Sequence, residues 1–191
     1  MEAFFVSTGI VALGEMGDKT QLLALLLATR LKKPLAISLG IFAATLVNHA
    51  CAAAVGQWVT VHLGPDVMRW ILGVSFIAMA GWMLIPDKID DEEENKPQRF
   101  GAFLTTLIAF FLVEMGDKTQ IATVALSAKF AGEMAWVVAG TTCGMLLADV
   151  PVVYFGDKLT RLVPIHWVHR SCAVIFALLG LLTLLNVGKL F

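Results

Sequence analysis

The sequence predicts an all-α integral membrane protein, with six transmembrane helices arranged as two inverted three-helix repeats. Three observations carry that expectation. The 191 residues are 58% hydrophobic and 15% charged, with a mean hydropathy of +0.80, where a soluble domain carries roughly 25% charged residues. One heptapeptide, Glu15-Met16-Gly17-Asp18-Lys19-Thr20-Gln21, returns letter for letter from Glu114 to Gln120, an offset of 99 residues. Each copy interrupts an apolar run, and each half of the chain holds three such runs. An odd number of crossings per half inserts the halves in opposite orientations.

The first span is predicted over residues 3–29, roughly 39 Å of helix, which crosses a bilayer with tilt. Glu15 and Asp18 then sit near mid-depth. Arg30, Lys32 and Lys33 end the span, and Pro34 opens the next. The second span, 35–59, carries Asn48 and His49. Residues 62–69 read as a short loop with a turn at Gly64-Pro65-Asp66. The third span, 70–85, has Trp70 and Trp82 near its ends as interfacial anchors. Residues 1–85 thus form the first repeat. An acidic cytoplasmic linker follows over 86–99, containing Asp90-Asp91-Glu92-Glu93-Glu94. The second repeat, 100–191, holds a fourth span over 100–127 with the second motif. Its fifth span, 134–155, contains Asp149 and Pro151, and its sixth covers 171–187 after a polar stretch at 166–170.

The repeat extends beyond the motif. Gly40 matches Gly140 and Gly56 matches Gly156 at an offset of 100, which sets His49 opposite Asp149. Gly81 matches Gly180 at 99. The GxxxG pattern of Gly140 and Gly144 reads as helix packing. Cys51, Cys143 and Cys172 lie in apolar runs without CxxC spacing and read as small buried residues. Met1-Glu2-Ala3 lacks the basic region of a signal peptide, so the first run is expected to be retained.

Basic residues set the orientation. With both termini outside the cytoplasm, the inner loops hold Arg30, Lys32, Lys33, Lys88, Lys96, Arg99, Lys158, Arg161 and Arg170, against Arg69, Lys129 and Lys189 outside. A net charge of −1 offers nucleic acid no basic surface. There is no HExxH, nucleophile elbow or paired Ser/Lys, so the chain does not read as an enzyme, and no cofactor is expected.

Charges at membrane depth are costly and mark function. On one continuous helix, Lys19 would lie about 40° to one side of Glu15 and Asp18 about 60° to the other, gathering the polar atoms on one face. Gly17 and Gly116 admit a close neighbour or a helix break that frees backbone carbonyls. If the first and fourth spans cross antiparallel, Glu15, Asp18, Glu114 and Asp117 converge. Such a hard oxygen cage suits Ca²⁺, Mg²⁺ or Mn²⁺. Asp149 adds a fifth acid. Lys19, Thr20, Gln21, Asn48, His49, Lys118, Thr119 and Gln120 would line the pathway. The competing reading is a structural brace, since Glu15–Lys19 and Glu114–Lys118 stand at the i, i+4 spacing of an intrahelical ion pair. That brace leaves Asp18 and Asp117 without partners.

Charge arithmetic favours exchange with protons. Each motif carries −1 and the pair −2, which one divalent ion cancels and two protons replace. An uncoupled divalent-cation channel is the alternative. Mg²⁺ dehydrates reluctantly, whereas Mn²⁺ also accepts an imidazole such as that of His49.

The doubled Glu-x-Gly-Asp-Lys-Thr motif in a six-span chain resembles the GDT/UPF-type family of cation/proton exchangers, over the whole sequence. That family includes a Golgi manganese and calcium transporter of eukaryotes and manganese exporters of bacteria and cyanobacteria. The resemblance implies that Glu15, Asp18, Glu114 and Asp117 bind the cation. It implies export of Mn²⁺ from the cytoplasm in exchange for H⁺, with a Ca²⁺/H⁺ exchanger as the alternative. The short loops look like those of a bacterial inner-membrane member. The expected partners are a divalent metal ion, the lipid bilayer and, as one option, a second copy in a homodimer.

Overall fold

The computed structural model describes residues 1–84, 101–156 and 165–186. The expected linker at 86–99 lies outside them. The regular structure among the described residues is α-helix: α1 (Glu2–Glu15), α2 (Lys19–Leu31), α3 (Pro34–Trp82), α4 (Ala102–Glu114), α5 (Lys118–Lys129), α6 (Met134–Phe155) and α7 (Ile165–Leu184). Pro34 opens α3, where its missing N–H has no helical partner to lose. Lys32 closes α2 in the left-handed region, with its N–H donating to the Ala28 carbonyl.

The bundle is apolar outside and polar within. Leu39, Val47, Trp58, Val74, Leu112, Leu147 and Leu178 are exposed, while Glu15, Asp18, His49, Glu114, Asp117 and Asp149 are buried. Water would not stabilise that distribution, but hydrocarbon does. Pro34–Leu63 and Met134–Phe155 are each long and apolar enough to cross a membrane, and Arg69–Trp82, Ala102–Glu114 and Arg170–Leu184 are shorter apolar helices.

The two motif-bearing paths cross antiparallel. α1 lies against α5, and α2 against α4. Ala3, near the start of α1, packs with Leu126 and Phe130 at the far end of α5. α6 follows the first path closely, because Gly140 faces Phe4 and Ser7, and Gly144 faces Thr8, Val11 and Ala12. α3 follows the second path in the matching way, with Gly40 facing Phe103 and Thr106. Phe4 and Phe103, like Ser7 and Thr106, are 99 residues apart. Each half therefore lends its second helix to the broken helix of the other. The GxxxG pattern does pack helices, as expected.

Expectation and structure part at several points. α1–α2, α4–α5 and α6 occupy the first, fourth and fifth expected spans. Residues 62–69, expected as a loop, are helical and belong to the 49-residue α3. A straight helix of that length would measure about 73 Å, against a bilayer core of about 30 Å. α3 instead bends back. Thr60 donates to the Ala128 carbonyl at the end of α5, while Met79 and Met83 border Lys118 and Ala122 near its start. The helical backbone continues through the reversal, so its peptide groups stay satisfied within the helix. α7 begins at Ile165, six residues ahead of the expected 171. Only Cys172 is buried, and Cys51 is exposed, since an apolar exterior accepts a thiol as readily as the core does. Gly81 has nothing within 4 Å of a built Cβ, whereas Gly180 meets Gly73 and Ile77, so those two glycines are not equivalent in packing.

A side chain at Gly140 would meet the Phe4 carbonyl at 2.5 Å and Ser7 at 3.0 Å. Gly140→Leu is expected to cost about 1–3 kcal/mol by overpacking, seen as a lowered melting temperature in detergent. Gly81→Leu, facing open space, should leave the melting temperature nearly unchanged.

Candidate metal centre

The site begins with two helix breaks of the same shape. α1 stops at Glu15, and Met16 is extended at φ −63°, ψ 113°. Gly17 has φ 82°, and Asp18 at φ −78°, ψ 168° starts α2. In the second copy Met115 has φ −62°, ψ 118°, Gly116 φ 77° and Asp117 φ −77°, ψ 166°. A positive φ costs an L side chain about 1–2 kcal/mol and glycine almost nothing. The helix break expected at these glycines is present in both copies. The glutamines seal it: the Gly17 N–H donates to Gln21 Oε1 at 2.9 Å and the Gly116 N–H to Gln120 Oε1 at 2.7 Å. Gln21 Nε2 also donates to the Ala148 carbonyl at 2.9 Å, tying the first break to α6 beside Asp149.

The breaks undo the helical-wheel arrangement and the intrahelical brace. The chain between Glu15 and Asp18 is not helical, so Lys19 does not stack one turn beyond Glu15. The lysines cross over instead. Lys19 Nζ stands 3.0 Å from Asp117 Oδ1, and Lys118 Nζ 2.8 Å from Asp18 Oδ1. The two aspartates that a brace would leave alone are the ones that pair, each with the lysine of the other motif. Asp18 also accepts from the Lys19 N–H at 2.7 Å, capping α2.

Each glutamate is held across its break by a threonine. Thr20 Oγ1 donates to Glu15 Oε2 at 2.5 Å, and Thr119 Oγ1 donates to Glu114 Oε1 at 2.6 Å. Among the described residues, Glu15 Oε1, Glu114 Oε2 and Asp117 Oδ2 are buried with no hydrogen-bond partner. Glu15, Glu114 and Asp117 each offer a carboxylate oxygen within 4.8 Å of the other two. Three buried carboxylates, each fixed through one oxygen and open through the other, could hold a hard cation.

The other expected residues arrange around this group. Asp18 lies outside the three-carboxylate cluster, although Glu15 interacts electrostatically with Asp18, Glu114, Asp149 and Asp117. Asp149 is fully buried, near Glu114 and Asp18. His49 is fully buried, with Nε2 3.7 Å from Glu114 Oε1. Asn48 Nδ2 donates to the Phe111 carbonyl at 3.2 Å, which fixes α3 to α4 one residue from His49. Sequence reasoning passed over Met79, Met83 and Phe176, which border a small cavity beside Lys118 and Thr119. Apolar residues of a third span carry no polar signal that would have drawn attention to them. Five carboxylates and two lysines leave the cluster at a formal −3 with His49 neutral.

Buried acids at paired helix breaks, inside a bundle with an apolar exterior, define the class as an ion-handling membrane protein. The sequence matches the family described as "Divalent cation/proton antiporter GDT1" over residues 3–91 and 102–189, and the chain belongs to that family. It is 50% identical over 183 residues, 96% of this chain and 90% of the relative, to a Vibrio cholerae serotype O1 protein named "Putative manganese exporter". It is 27% identical over 152 residues to "GDT1-like protein 3" of Oryza sativa, covering 66% of this chain and 54% of the rice protein. No solved structure matches the chain at a significant level.

Removing one partner of a buried ion pair costs about 3–5 kcal/mol. Lys118→Met takes the ammonium from the fully buried Asp18 and is expected to destabilise by that amount in chemical unfolding in micelles. Adding Asp18→Asn should recover a substantial part. Equal losses in the single and double variants would show that the pair is not the source.

Proposed function

We propose that this protein exports Mn²⁺ from the cytoplasm across the inner membrane in exchange for protons, at the centre formed by Glu15, Glu114 and Asp117, with Asp18 and Asp149 beside it. The observation that carries this reading is the convergence, within 4.8 Å, of three buried carboxylates from two crossed helix breaks. Family membership supports divalent cation/proton exchange, and the name of the Vibrio cholerae relative supports manganese. Ca²⁺ is the second reading, favoured by the all-oxygen character of those three side chains.

In this reading the chain makes six crossings as two inverted repeats, 1–85 and 100–191, joined by a cytoplasmic linker at 86–99. The antiparallel crossing of the broken helices and the exchanged second helices support that plan. Both termini lie outside the cytoplasm. The positive-inside count supports this, and contacts near Met1 and Leu184 agree with α1 starting and α7 ending on one face of the bundle. The Met1 ammonium stands 3.6 Å from Glu133, after α5. Leu184, at the end of α7, packs on Gly73, just past the bend in α3.

The mechanism follows from charge. A cluster at −3 accepts a divalent ion and remains at −1. When the ion leaves, carboxylates that face one another out of water hold protons in its place. The loaded carrier crosses with metal and the emptied one with protons, which is antiport. The lysines stay paired to aspartates throughout and keep the two breaks together.

Asp18→Asn and Asp117→Asn are each expected to abolish Mn²⁺ flux in proteoliposomes while the protein still folds. Near-normal flux in either variant would show that the two motifs do not form one site. With a pH-sensitive dye trapped inside, Mn²⁺ added to one side should move protons the opposite way. Metal flux that ignores a collapsed pH gradient would point to an uncoupled channel. Mg²⁺ should compete poorly with Mn²⁺, because its hydration shell is held tightly. Equal competition would remove the basis for the metal preference.

A further inference from the structure

His49 is the feature this reading leaves over. It sits on α3 at the place Asp149 holds on α6, 100 residues later. The two halves of the site are therefore chemically unequal, with a nitrogen base on α3 and an acid on α6. The imidazole is fully buried, and neither Nδ1 nor Nε2 has a hydrogen-bond partner among the described residues. A buried polar group left unsatisfied costs about 1–3 kcal/mol, so such a ring calls for an explanation.

Its position supplies one. Nε2 lies 3.7 Å from Glu114 Oε1, beyond the roughly 2.7–3.2 Å of an N–H···O hydrogen bond. Two atoms bound to one cation at about 2.1–2.4 Å stand about 3.0–4.8 Å apart, depending on the angle between them. The observed separation from Glu114 falls inside that range, while His49 lies outside the group of Glu15, Glu114 and Asp117 oxygens that share 4.8 Å, so its ring has to move towards them to join the ion. The bond from Asn48 to the Phe111 carbonyl holds this part of α3 against the end of α4, so the ring is positioned rather than loosely packed.

We propose that His49 Nε2 is a direct ligand of the transported cation, binding beside Glu114 and adding one nitrogen to the carboxylate oxygens. The proposal rests on the cation site put forward above and adds its selectivity. Ca²⁺ and Mg²⁺ take oxygen ligands, whereas first-row transition ions also accept imidazole. One nitrogen thus tilts the site from the alkaline-earth ions towards Mn²⁺. It does not discriminate against Fe²⁺ or Co²⁺, which bind nitrogen more tightly than Mn²⁺ does.

The test is spin-echo electron paramagnetic resonance of Mn²⁺ bound to the purified full-length protein in nanodiscs, with Ca²⁺ competition measured on the same samples. Wild-type protein should show nitrogen modulation from a directly bound ¹⁴N, and labelling with ¹⁵N-histidine should replace it with the ¹⁵N pattern. His49→Gln should lose the signal, and the affinity ratio of Mn²⁺ to Ca²⁺ should fall by at least about tenfold, or about 1.4 kcal/mol. His49→Asp should bind Ca²⁺ better than wild type, since it makes the ligands all oxygen. Mn²⁺ bound to wild type without histidine nitrogen modulation overturns the ligand assignment and leaves the carboxylate site standing. An unchanged affinity ratio in His49→Gln overturns the selectivity role. No Mn²⁺ binding at all overturns both. The isotope comparison uses wild-type protein alone, so a variant that fails to fold does not decide the matter.

Discussion

A carboxylate taken out of water needs a cation, a proton or hydrogen-bond donors close by. This chain buries Glu15, Asp18, Glu114, Asp117 and Asp149 inside a bundle whose outer surface is apolar. Most of the architecture answers that constraint. An unbroken helix would present Lys19 to Glu15 and leave Asp18 alone. Breaking the helix at Gly17 turns Asp18 into the cap of α2 and sends Lys19 across to Asp117. The same break at Gly116 sends Lys118 back to Asp18. Neither motif satisfies its own charges, so the two halves have to meet.

Their meeting demands close helix packing around the breaks. Gly40 and Gly140 bring α3 and α6 against the backbone of the opposite half. The result is a core in which polar atoms are rigidly placed. Thr20 and Thr119 fix one oxygen of each glutamate, and Gln21 and Gln120 close the exposed backbone donors. Such supporting bonds orient the remaining oxygens without neutralising them. Three buried carboxylates held this way carry charge that a cation or protons would offset.

The pseudo-symmetry is strict in the motifs and relaxed around them. Matching break dihedrals, matching threonine bonds and reciprocal lysine pairs give the two motifs the same geometry. The second helices differ, with His49 on α3 and Asp149 on α6. The unlike second helices make the surroundings of the two motifs chemically different.

Much of this was legible in the residues. The duplicated heptapeptide announced two equivalent clusters, and glycine at its centre marked where a helix could break. Composition separated a membrane bundle from a soluble domain, and apolar run lengths placed α1–α2, α4–α5 and α6. Local pattern could not say which lysine pairs with which aspartate, because the i, i+4 spacing is real in sequence and is cancelled only when the backbone departs from the helix. Nor could it show that α3 remains helical through its reversal. Turn residues report a local preference, and the packing of both arms of α3 on α5 overrode it. The selection of Glu15, Glu114 and Asp117 as the converging trio also waited on the fold. Distances of a few ångströms between residues 99 and 102 positions apart depend on how two antiparallel paths cross, and no property of either path alone contains that information.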